Sequence, residues 1–407
     1  MKKSLLFLAA LLVAACGRDV PPTGSSAPGP SWLFLDKGPY TLTSHVDLTG
    51  EAGLVLVTDR SLMAETPDTV LTRTVTIGED SLLTVALGKL EPGFYEVRLN
   101  DSLRFNIGVQ PDKVVSKPDP QPDFDAFWDT TLRELAEIPA EAQWELVPEY
   151  SNELRQCFRI SFESLDGGIG GGIISIPVAE GKYPVFIQYM GYGAEPFYFD
   201  PSANPDRIDF LVSVRGQGIF KEARTDWIDR GLQDKADYYY RGAFCDAVRA
   251  AEIAAALDKA DPEKMVALGE SQGGALTAVA AALWGKFKVI SIAVPFLGDY
   301  RDYARIVWWP VHEVMEAADK AGIDYDTLFT LLSYFDVKNL APRITCPVVM
   351  AFGLQDPTCP PHTNFAIYNN LGTSDKSFWC VPTCGHAMWL EDSWPPIRDA
   401  FLDQYMK

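Results

Sequence analysis

The string Gly269-Glu270-Ser271-Gln272-Gly273 sets a serine between glycines, after the apolar run Met265–Leu268 and before the Ala-rich stretch Gly274–Leu283. A serine hydroxyl is a weak nucleophile at neutral pH and needs a partner base. A sharp strand-to-helix turn lifts the serine out of the chain, and small flanking residues let strand and helix approach. The helix N-terminus then favours the negative charge that develops in acyl transfer. Four histidines are available as base. His45 lies in the N-terminal region, His312 in a segment that reads as an insertion helix, and His362 follows Pro360-Pro361 and opens a helix. His386 sits in Thr383-Cys384-Gly385-His386, between the strand Phe378–Val381 and the last helix. It alone leaves room for the chain order serine, acid, histidine. The acid is then expected after the strand Val348–Phe352, at Asp356 in Gly353-Leu354-Gln355-Asp356, where it would fix the imidazole tautomer. Asp336 precedes that strand and reads, with Asp375, as a solvated loop acid. Two backbone N–H groups must receive the oxyanion. The residue after the serine, Gln272, supplies one, and Tyr192, between Gly191 and Gly193 at the end of an early strand, is assigned the other.

These residues need a frame of alternating strands and helices. Arg155–Ser164 and Gly172–Ile176 read as a hairpin around Asp166-Gly167-Gly168, and Gly170–Gly172 enter a strand rather than a helix, which excludes a phosphate loop. Pro184–Tyr189, Ile208–Val214 and Val289–Val294 have the length and apolarity of buried strands. Gly242–Ala260 carries apolar groups at helical spacing. Repeated β-α units predict an α/β class, with a doubly wound, mostly parallel sheet over residues 124–407. Before it, alternating runs such as Gly53–Thr58, Leu71–Ile77, Leu82–Leu87 and Tyr95–Leu99 predict a small all-β sandwich over residues 32–110. Pro111, Pro118, Pro120 and Pro122 mark residues 111–123 as a linker.

The chain has 407 residues and a formal net charge of -20, which opposes any nucleic-acid partner. Lys2 and Lys3 precede an apolar run from Leu5 to Ala15, too short to span a bilayer, with Cys16 directly after it. Leu12-Val13-Ala14-Ala15-Cys16 resembles a bacterial lipobox, so residues 1–15 are expected to be a signal peptide and Cys16 a lipidated N-terminus. That expectation makes the protein an exported, membrane-anchored lipoprotein of the periplasm or cell surface. Residues 16–31, rich in Pro, Gly and Ser, then read as a flexible tether. Cys157, Cys245 and Cys346 lie in or beside apolar segments and read as buried thiols, while Cys380 and Cys384 flank a loop that a bridge could close. No metal-ligand spacing is present, and the chemistry of the serine needs neither metal nor cofactor.

Further strings accompany the triad residues: Asp123-Phe124-Asp125-Ala126-Phe127-Trp128, Arg215-Gly216-Gln217-Gly218, Tyr238-Tyr239-Tyr240-Arg241 with Asp246-Ala247-Val248-Arg249, and Cys359-Pro360-Pro361 after Asp356. As a set, over about residues 115–407, they resemble the acetyl xylan esterase and cephalosporin C deacetylase family, carbohydrate esterase family seven. The resemblance implies an α/β-hydrolase fold and removal of acetyl groups from xylo-oligosaccharides and other small esters. It implies the same triad and oxyanion donors, a structural role for Arg215–Gln217, and often a ring-shaped hexamer. Ala387 stands where the family usually has Glu, and the sandwich and lipid anchor are additions that bear against the same assembly. Tyr300, Tyr303, Trp308 and Trp309 make residues 297–340 an aromatic cap, with packing the expected role of any single ring. Two other readings stay open: a peptidase or other acyl hydrolase of the same fold, and a glycan-binding lipoprotein whose site is impaired at Ala387.

Overall fold

A computed structural model describes residues 24–100, 102–221 and 227–407. The signal peptide and Cys16 fall outside the described residues. The strands, in chain order, are β1 (Ser25–Ser26), β2 (Leu33–Phe34), β3 (Tyr40–His45), β4 (Gly50–Thr58), β5 (Thr69–Ile77), β6 (Leu82–Gly88), β7 (Gly93–Leu99) and β8 (Leu103–Val109), followed by β9 (Ala142–Leu146), β10 (Arg155–Glu163), β11 (Ile169–Pro177), β12 (Tyr183–Tyr189), β13 (Ile208–Ser213), β14 (Ala260–Glu270), β15 (Val289–Ala293), β16 (Val348–Gly353) and β17 (Lys376–Val381). The helices are α1 (Phe124–Ala136), α2 (Tyr239–Ala255), α3 (Gln272–Leu283), α4 (Tyr300–Ile306), α5 (Val311–Ala321), α6 (Tyr325–Leu332), α7 (Val337–Leu340), α8 (Pro361–Tyr368) and α9 (Trp394–Leu402).

One large sheet runs in the order β1-β17-β16-β15-β14-β12-β13-β11-β10-β9. Pairing is parallel from β1 through β13 and antiparallel from β13 to β9. The central strands are buried on both faces, as the continuous apolar stretches of β13, β15 and β16 require. The N-terminal β module packs a five-stranded sheet, β2-β8-β7-β4-β5, against the pair β3-β6. Alternate residues of its strands, among them Leu42, Leu54, Leu56, Val97, Leu99 and Ile107, form its core. The large sheet with the small β module is the fold class that the sequence patterning predicts.

The structure corrects several local expectations. Residues 25–27 are not a free tether. β1 pairs with β17, the Ala27 N–H donates to the Cys380 carbonyl at 2.8 Å, and Ala27 is buried. Helix α2 begins three residues before the expected Gly242 and ends at Ala255, because Ala260 is recruited into β14 opposite Tyr183. Asp336 is no solvated acid but a buried one that caps α7 and receives the Asp299 and Tyr300 N–H groups at 2.9 and 3.1 Å. Burial pushes its carboxyl above the ordinary carboxylate range, against the pull of Lys338. Cys380 and Cys384 are both free thiols, as are Cys157, Cys245, Cys346 and Cys359.

Candidate active site

Ser271, Asp356, His386 and Tyr192 all follow the carboxyl ends of parallel strands, β14, β16, β17 and β12. Open α/β sheets place their ligand sites at this edge. Ser271 has φ 57° and ψ −124°, a strained backbone for any residue but glycine. The turn holds only because its flanks are bare: a Cβ on Gly269 would meet the Gly273 carbonyl carbon at 2.3 Å, and one on Gly273 would meet the Tyr189 carbonyl oxygen at 2.1 Å. Strain at such a position costs of order 1–3 kcal/mol and persists where the surroundings enforce it.

The three sequence-expected residues meet. His386 Nε2 lies 2.9 Å from Ser271 Oγ, and His386 Nδ1 lies 2.8 Å from Asp356 Oδ2. The other Asp356 oxygen, Oδ1, accepts from the Thr358 and Cys359 N–H groups at 2.8 Å each. A carboxylate so furnished is rotationally fixed, so it holds one imidazole tautomer with Nε2 free to accept a proton from the serine. Gln272 opens α3 and is buried, and its side chain is locked. Its amide exchanges hydrogen bonds with the Gln217 amide at 3.1 and 2.8 Å, and the Tyr240 hydroxyl donates to its Oε1 at 3.0 Å. Arg215, two residues before Gln217, chelates Asp246 with Nε and Nη2 at 2.8 and 2.7 Å. The Arg215–Gln217 string thus supports the helix start behind the serine from below.

A cavity of about 570 Å³ opens over Ser271 and His386. Tyr192 and Gly193 line one side, and Phe296 and a buried Trp227 line its depth. Its rim carries half-exposed rings, Phe197, Trp309 and Trp389. The aromatic cap therefore divides: Tyr300 and Tyr303 are buried packing, Trp308 stacks on His312, and Trp309 reaches the cavity. Cys359 also lines the cavity, but burial, with Asp356 nearby, holds its thiol well above its ordinary value, so it is no rival nucleophile.

The other histidines stay out of the cavity. His45 is exposed on β3, and His312 contacts the Ala304 carbonyl at 2.8 Å. His362 is buried near Asp299 and Asp302, and among the described residues these three form the group compact enough to hold a metal ion. None of them lines the catalytic cavity. Their carboxylates already face cations, with Lys338 Nζ 3.0 Å from Asp299 and Arg305 3.0 Å from Asp302.

Sequence reasoning missed Trp227, Phe296, Trp389 and Glu270 as cavity residues. Glu270 is the one with a local signal, since it stands inside the serine motif itself.

The chain has relatives of the same fold. Residues 113–391 match the family described as acetyl xylan esterase (AXE1). The acetyl esterase Axe7A of Xylanibacter ruminicola is 27% identical over 323 residues, which span 73% of this chain and 71% of that protein. Acetyl xylan esterase 1 from Thermoanaerobacterium sp. JW/SL YS485 superposes with a TM-score of 0.66 at 26% identity, over 73% of this chain and 98% of that one. The acetyl xylan esterase from Paenibacillus sp. R4 gives 0.65 at 28% identity, with the same coverage. The matched stretch contains Tyr192, Ser271, Asp356 and His386 and leaves the N-terminal β module outside it. With that match over most of the chain, the protein is an esterase that belongs to the acetyl xylan esterase family.

Proposed function

We propose that the protein is a serine hydrolase that removes acetyl groups from acetylated xylo-oligosaccharides or related sugar esters through an acyl-enzyme. The observation that carries this reading is the continuous hydrogen-bonded line from Asp356 through His386 to Ser271, at 2.8 and 2.9 Å, on the floor of an aromatic-rimmed cavity. In the proposed reaction Ser271 Oγ attacks the acetyl carbonyl while His386 Nε2 takes its proton. The Gln272 and Tyr192 N–H groups receive the oxyanion. Collapse of the tetrahedral species breaks the bond to the sugar oxygen, which leaves with the proton from His386. Water, deprotonated by His386, then attacks the acetyl-serine and releases acetate. Two of the similar solved structures are named as acetyl xylan esterases and the Xylanibacter relative as an acetyl esterase, which supports acetyl esters of xylan as the substrate class. A half-exposed ring rim suits sugar faces better than an extended peptide.

The deciding experiment compares p-nitrophenyl acetate, its butyrate analogue and acetylated xylo-oligosaccharide, with native protein and Ser271→Ala. Acetate-selective turnover and acetic acid release from the oligosaccharide, both lost in Ser271→Ala, are expected. A folded native protein that turns over no ester would overturn the reading and favour a glycan-binding role. Cleavage of acyl-peptides with no sugar ester turned over would favour a peptidase. Export and lipidation at Cys16 belong to the same proposal: a Cys16→Ala chain is expected in the soluble fraction, and the native chain with the membranes.

A further inference from the structure

The base in this reading becomes an imidazolium in both half-reactions, and that charge needs groups of opposite sign around it. Asp356 meets it at Nδ1. Ala387, next to the base in the chain, brings no charge. Glu270 does. It lines the cavity together with Ser271, His386 and Trp389, and it interacts electrostatically with His386.

We propose that Glu270 is a positioning residue for His386, whose carboxylate stabilises the imidazolium and ties the base-bearing loop to the serine turn. The inference rests on the serine-hydrolase reading above.

The backbone of Glu270 is fixed at the end of β14, opposite Ala293 of β15, one residue before the strained Ser271. The backbone N–H of Trp389, three residues beyond His386, acts on its carboxylate and helps to draw it down. The turn that follows the base and the strand that precedes the nucleophile thus face one another across this carboxylate in the cavity wall. Arg398 of α9 faces the same carboxylate, and Cys384 lies close by. Burial raises the Glu270 carboxyl above its ordinary value, while Arg398 and then His386 draw it down. A carboxylate largely withdrawn from water acts on a neighbouring charge with little screening, so its effect on His386 exceeds that of a surface acid. The bland alternative is an ion-pair partner for Arg398 that packs behind the elbow with no effect on the base.

The test uses the full chain and follows kcat, KM and the pH dependence of kcat/KM on p-nitrophenyl acetate. Glu270→Gln keeps an acceptor for the Trp389 N–H and removes the charge. It is expected to lower kcat about tenfold with KM nearly unchanged, because the lost interaction belongs to the transition state. The acid limb of kcat/KM, which reports protonation of the free enzyme's base, is expected to move to lower pH. Glu270→Asp keeps the charge and is expected to hold the limb near its native position. Ala387→Glu added to Glu270→Gln supplies a carboxylate beside the base from the other strand end and is expected to recover part of kcat. Glu270→Ala repeats the comparison should the glutamine variant not fold. A charge-free variant with native kcat and a native acid limb overturns the proposal. Native protein inactive on every ester would instead sink the serine-hydrolase reading, so the two failures are distinguishable.

Discussion

Asp356 divides its two oxygens between different tasks, and that division predicts how it fails. Oδ1 receives two backbone N–H groups and Oδ2 receives His386 Nδ1. In Asp356→Asn the amide oxygen will turn to the two backbone donors, which leaves the NH2 group facing His386. The imidazole must then present an acceptor at Nδ1 and carry its proton on Nε2, pointing at Ser271, where no proton can be taken. The expected loss in kcat is about 10⁴-fold with little change in fold, measured on p-nitrophenyl acetate. The rim rings predict a different signature. Trp309 and Trp389 are exposed at the cavity mouth, and the Trp389 ring stands perpendicular to the His386 ring at a centroid separation of 6.0 Å. If they stack on sugar, their alanine variants will raise KM for acetylated xylo-oligosaccharide about fivefold each, an interaction of about 1 kcal/mol. KM for p-nitrophenyl acetate, too small to span the rim, stays within a factor of two. Equal effects on both substrates would contradict sugar stacking.

The loop that carries Asp356 is held from outside the family's matched region. Gln355 presents its side-chain amide to the main chain of Asn106 in β8. The Asn106 N–H donates to Gln355 Oε1 at 2.7 Å, and Gln355 Nε2 donates to the Asn106 carbonyl at 3.0 Å. Asn106 Nδ2 also donates to the Leu354 carbonyl at 3.2 Å. This is a ladder rung made by a side chain, and it fixes the residue before the acid. Gln355→Ala is expected to lower kcat about tenfold at unchanged KM, since an acid misplaced by a fraction of an ångström costs transition-state stabilisation rather than binding. Native kcat in that variant would show that the turn after β16 holds the acid unaided. The same elements mark what the sequence reveals. The serine turn is legible because its determinants are local: glycines, a short apolar strand and an Ala-rich helix within a few residues. Asp356 and His386 are legible because chain order and strand ends restrict them. The Asn106–Gln355 rung joins residues 249 apart, and no periodicity announces it. Helix α2 is misjudged at both ends for related reasons: the tyrosines at its start, Tyr238 to Tyr240, favour strand, and Ala260, expected as its last residue, is claimed by pairing with β12. Asp336, a loop acid by position, is buried because Asp299, Tyr300 and Lys338 each direct an N–H to it.

Across the whole molecule the β module and the hydrolase region meet around one buried histidine. Asp59, from the turn after β4, places Oδ2 3.2 Å from His362 Nδ1, and Asp302 of α4 places Oδ2 3.2 Å from His362 Nε2. Asp299 Oδ2 lies 3.9 Å from the same Nε2, and it also accepts from Ser116, in the segment between the two regions. Arg60 and Arg305 flank Asp302, and Lys338 faces Asp299. Burial alone would lower the His362 pKa, but Asp59 and Asp302 outweigh it and raise it to about 10. The folded protein therefore holds an imidazolium, where an unfolded histidine titrates near 6.5. The sign follows from linkage: the stabilisation is fully present below pH 6.5 and is lost as pH rises through about 10. His362→Gln removes the cation and leaves its carboxylates buried, a change that costs about 3 kcal/mol when a buried pair loses one partner. Urea melts of the two proteins are expected to differ most at pH 6 and to converge toward pH 10, with the native chain losing midpoint as pH rises and the variant losing less. Parallel curves at every pH would mean that His362 is buried neutral and that the contact between the two regions owes nothing to its charge.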